Sequence, residues 1–233
     1  MIEDLRVQEL ADQMHGWLGE ITNDLGVPDE PRPRAAAALL YGALAHFNAI
    51  CFLTKHAEGH PSAFALLRVQ WQALLNGLWM HFCCPERHVK KYANGRKQFP
   101  HFDVLLTGIE GALGITVSSS PLSQQHAMMK ESMHNFTHMG SLQITAISAR
   151  GVVGTAYPQM QIDGLLITVV RIMLYTVAAV SKVSDTTALE QQARERFEEF
   201  HDELARRLVA PSTKPQTADY VRHRQAQRTE ATR

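Results

Sequence analysis

Histidines concentrate in the segment from His126 to Gln143, which holds three of the twelve in the chain. His134 and His138 are four residues apart, so on a helix they would lie one turn apart, as two metal ligands do. No HExxH pattern supplies the rest of a zinc-protease site, and we expect neither a metal nor another cofactor. A histidine beside Asn135 near a helix end can instead act as a general acid or base at neutral pH, or it can cap the helix or lie in solvent. The segment predicts either an acid–base site or an ordinary polar helix end.

Arg68 occupies a place where a helical bundle is expected to be apolar. On a helical wheel it lies at the margin of an apolar arc, and Gln72 and Asn76 continue from it at four-residue steps. This polar strip is either a solvated edge or one wall of a cleft. In a cleft, Arg68 needs an anionic or carbonyl partner, because an unpaired buried guanidinium is strongly destabilising.

Arg171 lies near the centre of the longest apolar run, Gly164 to Val180. The run is short for a membrane span and carries this charge, so it predicts a buried central helix. The arginine then has three alternatives: it reaches water past Tyr175, it binds an anionic ligand, or it pairs with an acid. The candidate acids are Glu110, Asp103 and Glu131.

The elements that must position these residues are helices. Apolar residues recur at helical spacing between glycine and proline breaks, which predicts an all-α bundle of six or seven helices. The clearest are expected over residues 35–56, over 62–84 with Ser62 as the N-cap, over 124–138, over 158–183 and over 186–208. We expect residues 1–209 to form one helical domain. Residues 210–233 are basic and poor in apolar residues, which predicts a disordered tail.

Composition limits the function classes. Lysine plus arginine equals aspartate plus glutamate at 23 each, so no overall field attracts nucleic acid or an anionic membrane, and only a local basic patch could. Three cysteines, two of them adjacent, do not form a disulfide framework. The first residues lack the pattern of a secretory signal, and we expect a cytoplasmic protein with no membrane segment.

Two segments are similar to a group of uncharacterised bacterial helical proteins. The first is ALLRVQWQALLNGLWMHFC, Ala65 to Cys83, where Gln72 stands in place of the glutamate usual in that group. The second is MHNFTHMGSLQI, Met133 to Ile144, which resembles the group's Asn–x–x–Thr-His–x–Gly pattern with the asparagine one place later. The resemblance implies kinship over residues 65–183 and names no activity.

The chain also loosely resembles HEPN-type helical modules, many of which are RNases or RNA binders that dimerise. Arg96 and His101 match the family's spacing of an arginine followed by a histidine. Pro100 interrupts a helix there, so the preferred site is composite, from Arg68 and His138 on different helices.

This second resemblance implies a homodimeric protein of a bacterial defence or toxin–antitoxin system that binds RNA or cleaves it without metal. In the implied site, Arg68 binds phosphate and His138 exchanges protons. Asn135 and Gln143 orient the substrate, and the further substrate-binding residues are Arg171, Gln72 and His134.

Two alternatives stay open at this point. The charged helix from Thr186 to Leu208 and the basic tail favour a non-catalytic bundle that binds a protein partner. His134 and His138 would serve equally in a protein that binds a small molecule or a metal.

Overall fold

The computed structural model describes residues 6–22, 26–116, 120–137, 140, 144 and 157–209. Within these ranges the secondary structure is helical, with eight α-helices, one short 3-10 turn and no strand. The helices are α1 (Arg6–Thr22), α2 (Pro31–Leu53), α3 (His60–Phe82), α4 (Glu86–Ala93), α5 (Phe102–Ala112), α6 (Pro121–Thr137), α7 (Gln159–Val183) and α8 (Thr187–Val209). The 3-10 turn (Ala57–Gly59) directly precedes α3. The predicted all-α class is confirmed, with more helices than the six or seven expected.

Helix α3 is the hub of the fold. It packs most extensively on α2, and also on α5, α6 and α7. Gly77 explains how α2 and α3 come so close, because a Cβ at that position would lie 2.7 Å from side-chain atoms of Leu40. The contact therefore requires a residue without a side chain. Both α2 and α3 also pack on α7, and these three helices form the centre of the core.

Helix α7 is buried along most of its length, as its apolar character predicts. Leu166, Val169, Val170, Ile172 and Met173 have no exposed surface. Helices α2 and α7 are both long and apolar enough to cross a membrane by length and composition alone. This is weak evidence for a span, because buried core helices pass the same test, and 67% of the α7 window is buried inside the protein.

Prolines set the starts of two helices earlier than the apolar pattern predicts. Helix α2 begins at Pro31 rather than at residue 35, and α3 begins at His60 with Pro61 in its first turn. Proline suits these positions because its fixed φ is helical and its missing N–H would be unpaired there anyway. The expectation that Ser62 caps α3 is wrong, since Gly59 is the N-cap.

Arg32 fastens the C-terminal end of α3. Its guanidinium donates to the carbonyl oxygens of Met80 at 3.1 Å and His81 at 3.3 Å, which the helix itself leaves unpaired. It also donates to the carboxylate of Glu86, with Nη2 2.8 Å from Oε2. One side chain on α2 thus ties the end of α3 to the start of α4.

Contact density divides the chain into two units, residues 1–199 and residues 200–233. The first unit holds α1 to α7 and most of α8. In the second unit the described residues continue α8, where Arg206 forms an ion pair with Glu203 at 2.6 Å. The predicted tail, residues 210–233, lies outside the described residues, so its disorder stays a prediction.

Candidate functional site

A hollow of about 760 Å³ lies against α3, the start of α5 and one face of α6. This volume falls within the range of small-molecule sites. The described residues that line it are Arg68, His101, Phe102, Asp103, His126, Ala127, Lys130, Glu131, Met133 and His134. We call this space the histidine hollow.

His126 is the most closely defined polar group in the histidine hollow. Its Nδ1 accepts a hydrogen bond of 3.2 Å from the indole Nε1–H of Trp71, and the planes of the two rings are nearly parallel, with 11° between them and 6.3 Å between their centres. An indole nitrogen can only donate, so Nδ1 must be unprotonated. The ring is therefore the neutral tautomer that carries its proton on Nε2, and Nε2 has no hydrogen-bond partner among the described residues.

Burial lowers the pKa of His126 below its ordinary value, because only 6% of the residue is exposed and desolvation disfavours the charged ring. Lys130 lowers this pKa further, whereas Asp103 opposes the shift. His126 is thus held neutral at physiological pH. It can donate a hydrogen bond through Nε2–H, but it is poorly suited to accept a proton.

Arg68 lies half-buried on the wall formed by α3. Its guanidinium carbon is 5.8 Å from the centre of the Phe102 ring, which is the geometry of a cation–π contact. The same ring lies 5.2 Å from the ring of His126. An arginine, a phenylalanine and a histidine from three helices are therefore joined in one cluster.

The charges of the histidine hollow are mixed. Arg68 and Lys130 are permanent cations, and Asp103 and Glu131 are carboxylates. Helix α5 begins at this place, and its first-turn N–H groups add positive partial charge. The imidazoles of His101, His126 and His134 complete the lining. Throughout the part of the chain that the structure describes, no three His, Cys, Asp or Glu side chains come together in a metal-binding group.

The structure brings two of the predicted site residues together, since Arg68 and His134 line the same hollow. Gln72 is exposed and lines neither this hollow nor the second one described below. Asn135 serves the end of α6: its backbone oxygen accepts the N–H of Gly140 at 2.6 Å, and its side chain donates to Glu131 O at 3.0 Å. Gly140 thus lies just beyond the end of α6, at Thr137.

Two of the predicted catalytic residues, His138 and Gln143, lie outside the described residues. Their roles stay predictions, and so does the convergence of Arg68 with His138. The convergence that the structure does show is between Arg68 and other histidines.

Sequence reasoning did not assign site roles to His126, Lys130 or Phe102, and it singled out His101 only through its spacing from Arg96. One signal was present, because His126, Lys130 and His134 recur every fourth residue and so share one helical face. The bond between Trp71 and His126 joins residues 55 apart in the chain, and no local pattern reveals it.

A second hollow, of about 330 Å³, lies on the other face of α6, between that helix, α3 and α7. We call it the arginine groove, because Arg171 lines it. Arg171 pairs with none of the three predicted acids among the described residues, and one of those acids, Glu110, accepts a hydrogen bond of 2.5 Å from Ser123 instead. Burial raises the pKa of Tyr175, and the nearby positive charge of Arg171 opposes this shift. Whether the guanidinium reaches water past Tyr175 stays a prediction.

In its described residues the chain is all-helical, and α6 separates the histidine hollow from the arginine groove. A family model, that of DUF6988, a family of unknown function, matches residues 41–206. The chain belongs to this family, and the match includes every residue that lines either hollow. The comparison with curated proteins and the comparison with solved structures each found no match. The predicted kinship with an uncharacterised family is confirmed at this coarser level.

Proposed function

We propose that this protein binds RNA at the histidine hollow and cleaves it without a metal ion. The observation that supports this proposal is the convergence of Arg68, Lys130 and three imidazoles in one concave space. Arginine and lysine bind phosphate by charge and hydrogen bonding, and imidazoles exchange protons near neutral pH. The HEPN-like assignment, the homodimer and the place in bacterial defence belong to the same proposal.

The reaction would be an internal transesterification. The ribose 2′-oxygen forms a bond to the adjacent phosphorus while the bond from phosphorus to the 5′-oxygen breaks. A base removes the 2′-hydroxyl proton, and an acid protonates the departing 5′-oxygen. The products are a 2′,3′-cyclic phosphate and a 5′-hydroxyl, so the atoms balance without water or metal.

The surroundings of each histidine determine which role it can take in this reaction. His126 cannot be the base, because its Nδ1 already accepts the Trp71 N–H and its Nε2 carries a proton. It would donate that proton in a hydrogen bond to a non-bridging phosphate oxygen, next to the charges of Arg68 and Lys130. His134, which is exposed and lines the hollow, is the proposed proton carrier, together with the predicted His138.

The test uses the purified full chain with a labelled RNA oligonucleotide in the presence of EDTA. We expect cyclic phosphate ends in the product, and no cleavage of the matching DNA, which lacks the 2′-hydroxyl. His134→Ala should reduce the rate by about 100-fold or more, which is the usual contribution of a general acid or base. Arg68→Ala should weaken RNA binding.

Matched controls are His15→Ala and Arg87→Ala, which remove an exposed histidine and an exposed arginine outside the hollow. Both should behave like the wild type. The proposal fails if the wild type neither binds nor cleaves RNA, or if His134→Ala and Arg68→Ala match their controls. A partner-binding role through α8 and the tail would then be the better interpretation.

A further inference from the structure

The arginine groove is apolar over most of its lining. Buried side chains from three helices form its walls, among them Phe64 and Leu67 of α3, Met129 and Phe136 of α6, and Leu165 of α7. Met128, also on the lining, is 65% exposed and stands at the rim. Methionines adapt to irregular ligands because their side chains are flexible and polarisable. Such walls favour a hydrocarbon group.

Arg171 is the one charged side chain among the described residues that line the groove. Its Nε is buried, yet no atom of the described residues accepts a hydrogen bond from it. The described residues that line the groove include no carboxylate to balance the guanidinium. Because a buried donor without an acceptor is costly, this arrangement has the chemistry to bind an anion.

The groove is long as well as apolar. Gln161 and Arg171 both line it and are ten residues apart on α7, which corresponds to about 15 Å along a helix. Arg171 therefore lies at one end of the groove along α7. The amide of Gln161, whose Oε1 is buried and accepts no hydrogen bond from the described residues, lies at the other end, with apolar side chains between them. A ligand that fits has its charge at one end and an extended hydrocarbon chain.

We infer that the arginine groove binds a small monocarboxylate with an unbranched hydrocarbon tail. The carboxylate would accept hydrogen bonds from the Arg171 guanidinium, including the buried Nε–H, and the tail would lie along the groove against Leu67, Met129 and Leu165. The planar guanidinium matches the two oxygens of a carboxylate better than a lysine ammonium would. This inference is independent of the RNA proposal, which concerns the other face of α6.

Isothermal titration calorimetry with the full chain tests the inference, using decanoate below its aggregation concentration. Decanoate should bind with one site per chain. Methyl decanoate, which lacks the charge, and butyrate, which lacks the tail, should each bind at least about tenfold more weakly. Equal affinity for decanoate and its methyl ester would overturn the proposed role of the charge.

Variants locate the ligand. Arg171→Gln should weaken decanoate binding by about tenfold to hundredfold, the range for a hydrogen bond to a charged group, and should leave methyl decanoate unaffected. Arg171→Lys keeps the positive charge but loses the planar guanidinium, so its affinity for decanoate should lie between those of the wild type and Arg171→Gln. Thermal melts establish that both variants fold. Arg87→Gln, which changes an exposed residue of α4, is the control and should bind like the wild type.

Three results would refute the inference. These are the absence of saturable decanoate binding by the wild type, undiminished binding by folded Arg171→Gln, and loss of binding in Arg68→Gln with retention in Arg171→Gln. The last result would place the ligand in the histidine hollow.

Discussion

Replacing Trp71 by phenylalanine tests whether its indole fixes the state of His126. The substitution keeps an aromatic ring but removes the N–H that donates to Nδ1. The buried acceptor is left without its donor, which costs about 1–2 kcal/mol beyond the loss of ring volume. Trp79→Phe is the matched control, because it removes the same atoms from α3 and the Trp79 indole donates no hydrogen bond among the described residues.

The difference between the two variants isolates the hydrogen bond. For a chain of this size, 1 kcal/mol corresponds to about 2–4 °C in Tm, so Trp71→Phe should melt about 2–8 °C below Trp79→Phe. Thermal unfolding followed by circular dichroism measures this difference. Trp71 has no exposed surface and Trp79 is 9% exposed, so the packing losses are similar.

NMR of the histidine side chains provides a second readout that packing alone would not change. In the wild type, His126 should be the neutral tautomer with its proton on Nε2. In Trp71→Phe, Nδ1 is free to bind a proton, so the pKa of His126 should rise, whereas Trp79→Phe should leave it unchanged. If the two variants have the same Tm and the same tautomer of His126, the Trp71 indole does not determine the protonation state of His126.

Three further predictions concern stability and reactivity. Gly77→Ala should be less stable than Gly42→Ala. A Cβ at residue 77 would lie 2.7 Å from Leu40, and such overpacking costs about 1–3 kcal/mol, whereas a Cβ at residue 42 has nothing within 4 Å and gains up to about 1 kcal/mol of helix propensity. Urea denaturation compares the two variants, and equal stability would contradict the close approach of α2 and α3. The free energy of unfolding should decrease as the pH falls below the ordinary histidine pKa of 6.5. The reason is that His126 takes up a proton in the unfolded chain but, because its pKa is lowered, not in the folded protein. Urea denaturation at several pH values should show a weaker pH dependence of stability for folded His126→Gln, and an unchanged pH dependence would contradict the lowered pKa of His126. Burial raises the pKa of Cys51 to about 12, so this thiol should resist iodoacetamide in the native protein at mildly alkaline pH and react once the chain unfolds. Mass spectrometry can follow the alkylation, and rapid alkylation of the native protein would contradict the burial of Cys51.

The sequence predicts the central helices well because their signal is local. Helix α7 is apolar on nearly every side, and a helix of that kind has to be surrounded. The start of α3 is predicted less well, because the 3-10 turn leads directly into the helix, which therefore begins before the predicted cap at Ser62. Helix ends depend on backbone geometry that the apolar pattern does not contain.

The candidate site is only partly predictable, for a different physical reason. Arg68 can be identified from the sequence as a candidate site residue, because a guanidinium beside an apolar helix face needs a polar partner in any fold. Gln72, one turn later, follows the same pattern but is exposed, since the direction of a boundary residue depends on which helices pack beside it. The importance of His126 depends on Trp71, which belongs to another helix, so it appears only once the tertiary contacts are known.

Helix α6 is a partition with a hollow on each side. His126, Lys130 and His134 lie on one side of it, and Met129 and Phe136 lie on the other. A shift of this helix toward either side would shrink one space and enlarge the other. Two ligands bound across such a shared wall would compete or cooperate without touching, and linkage requires each to change the affinity of the other by the same factor.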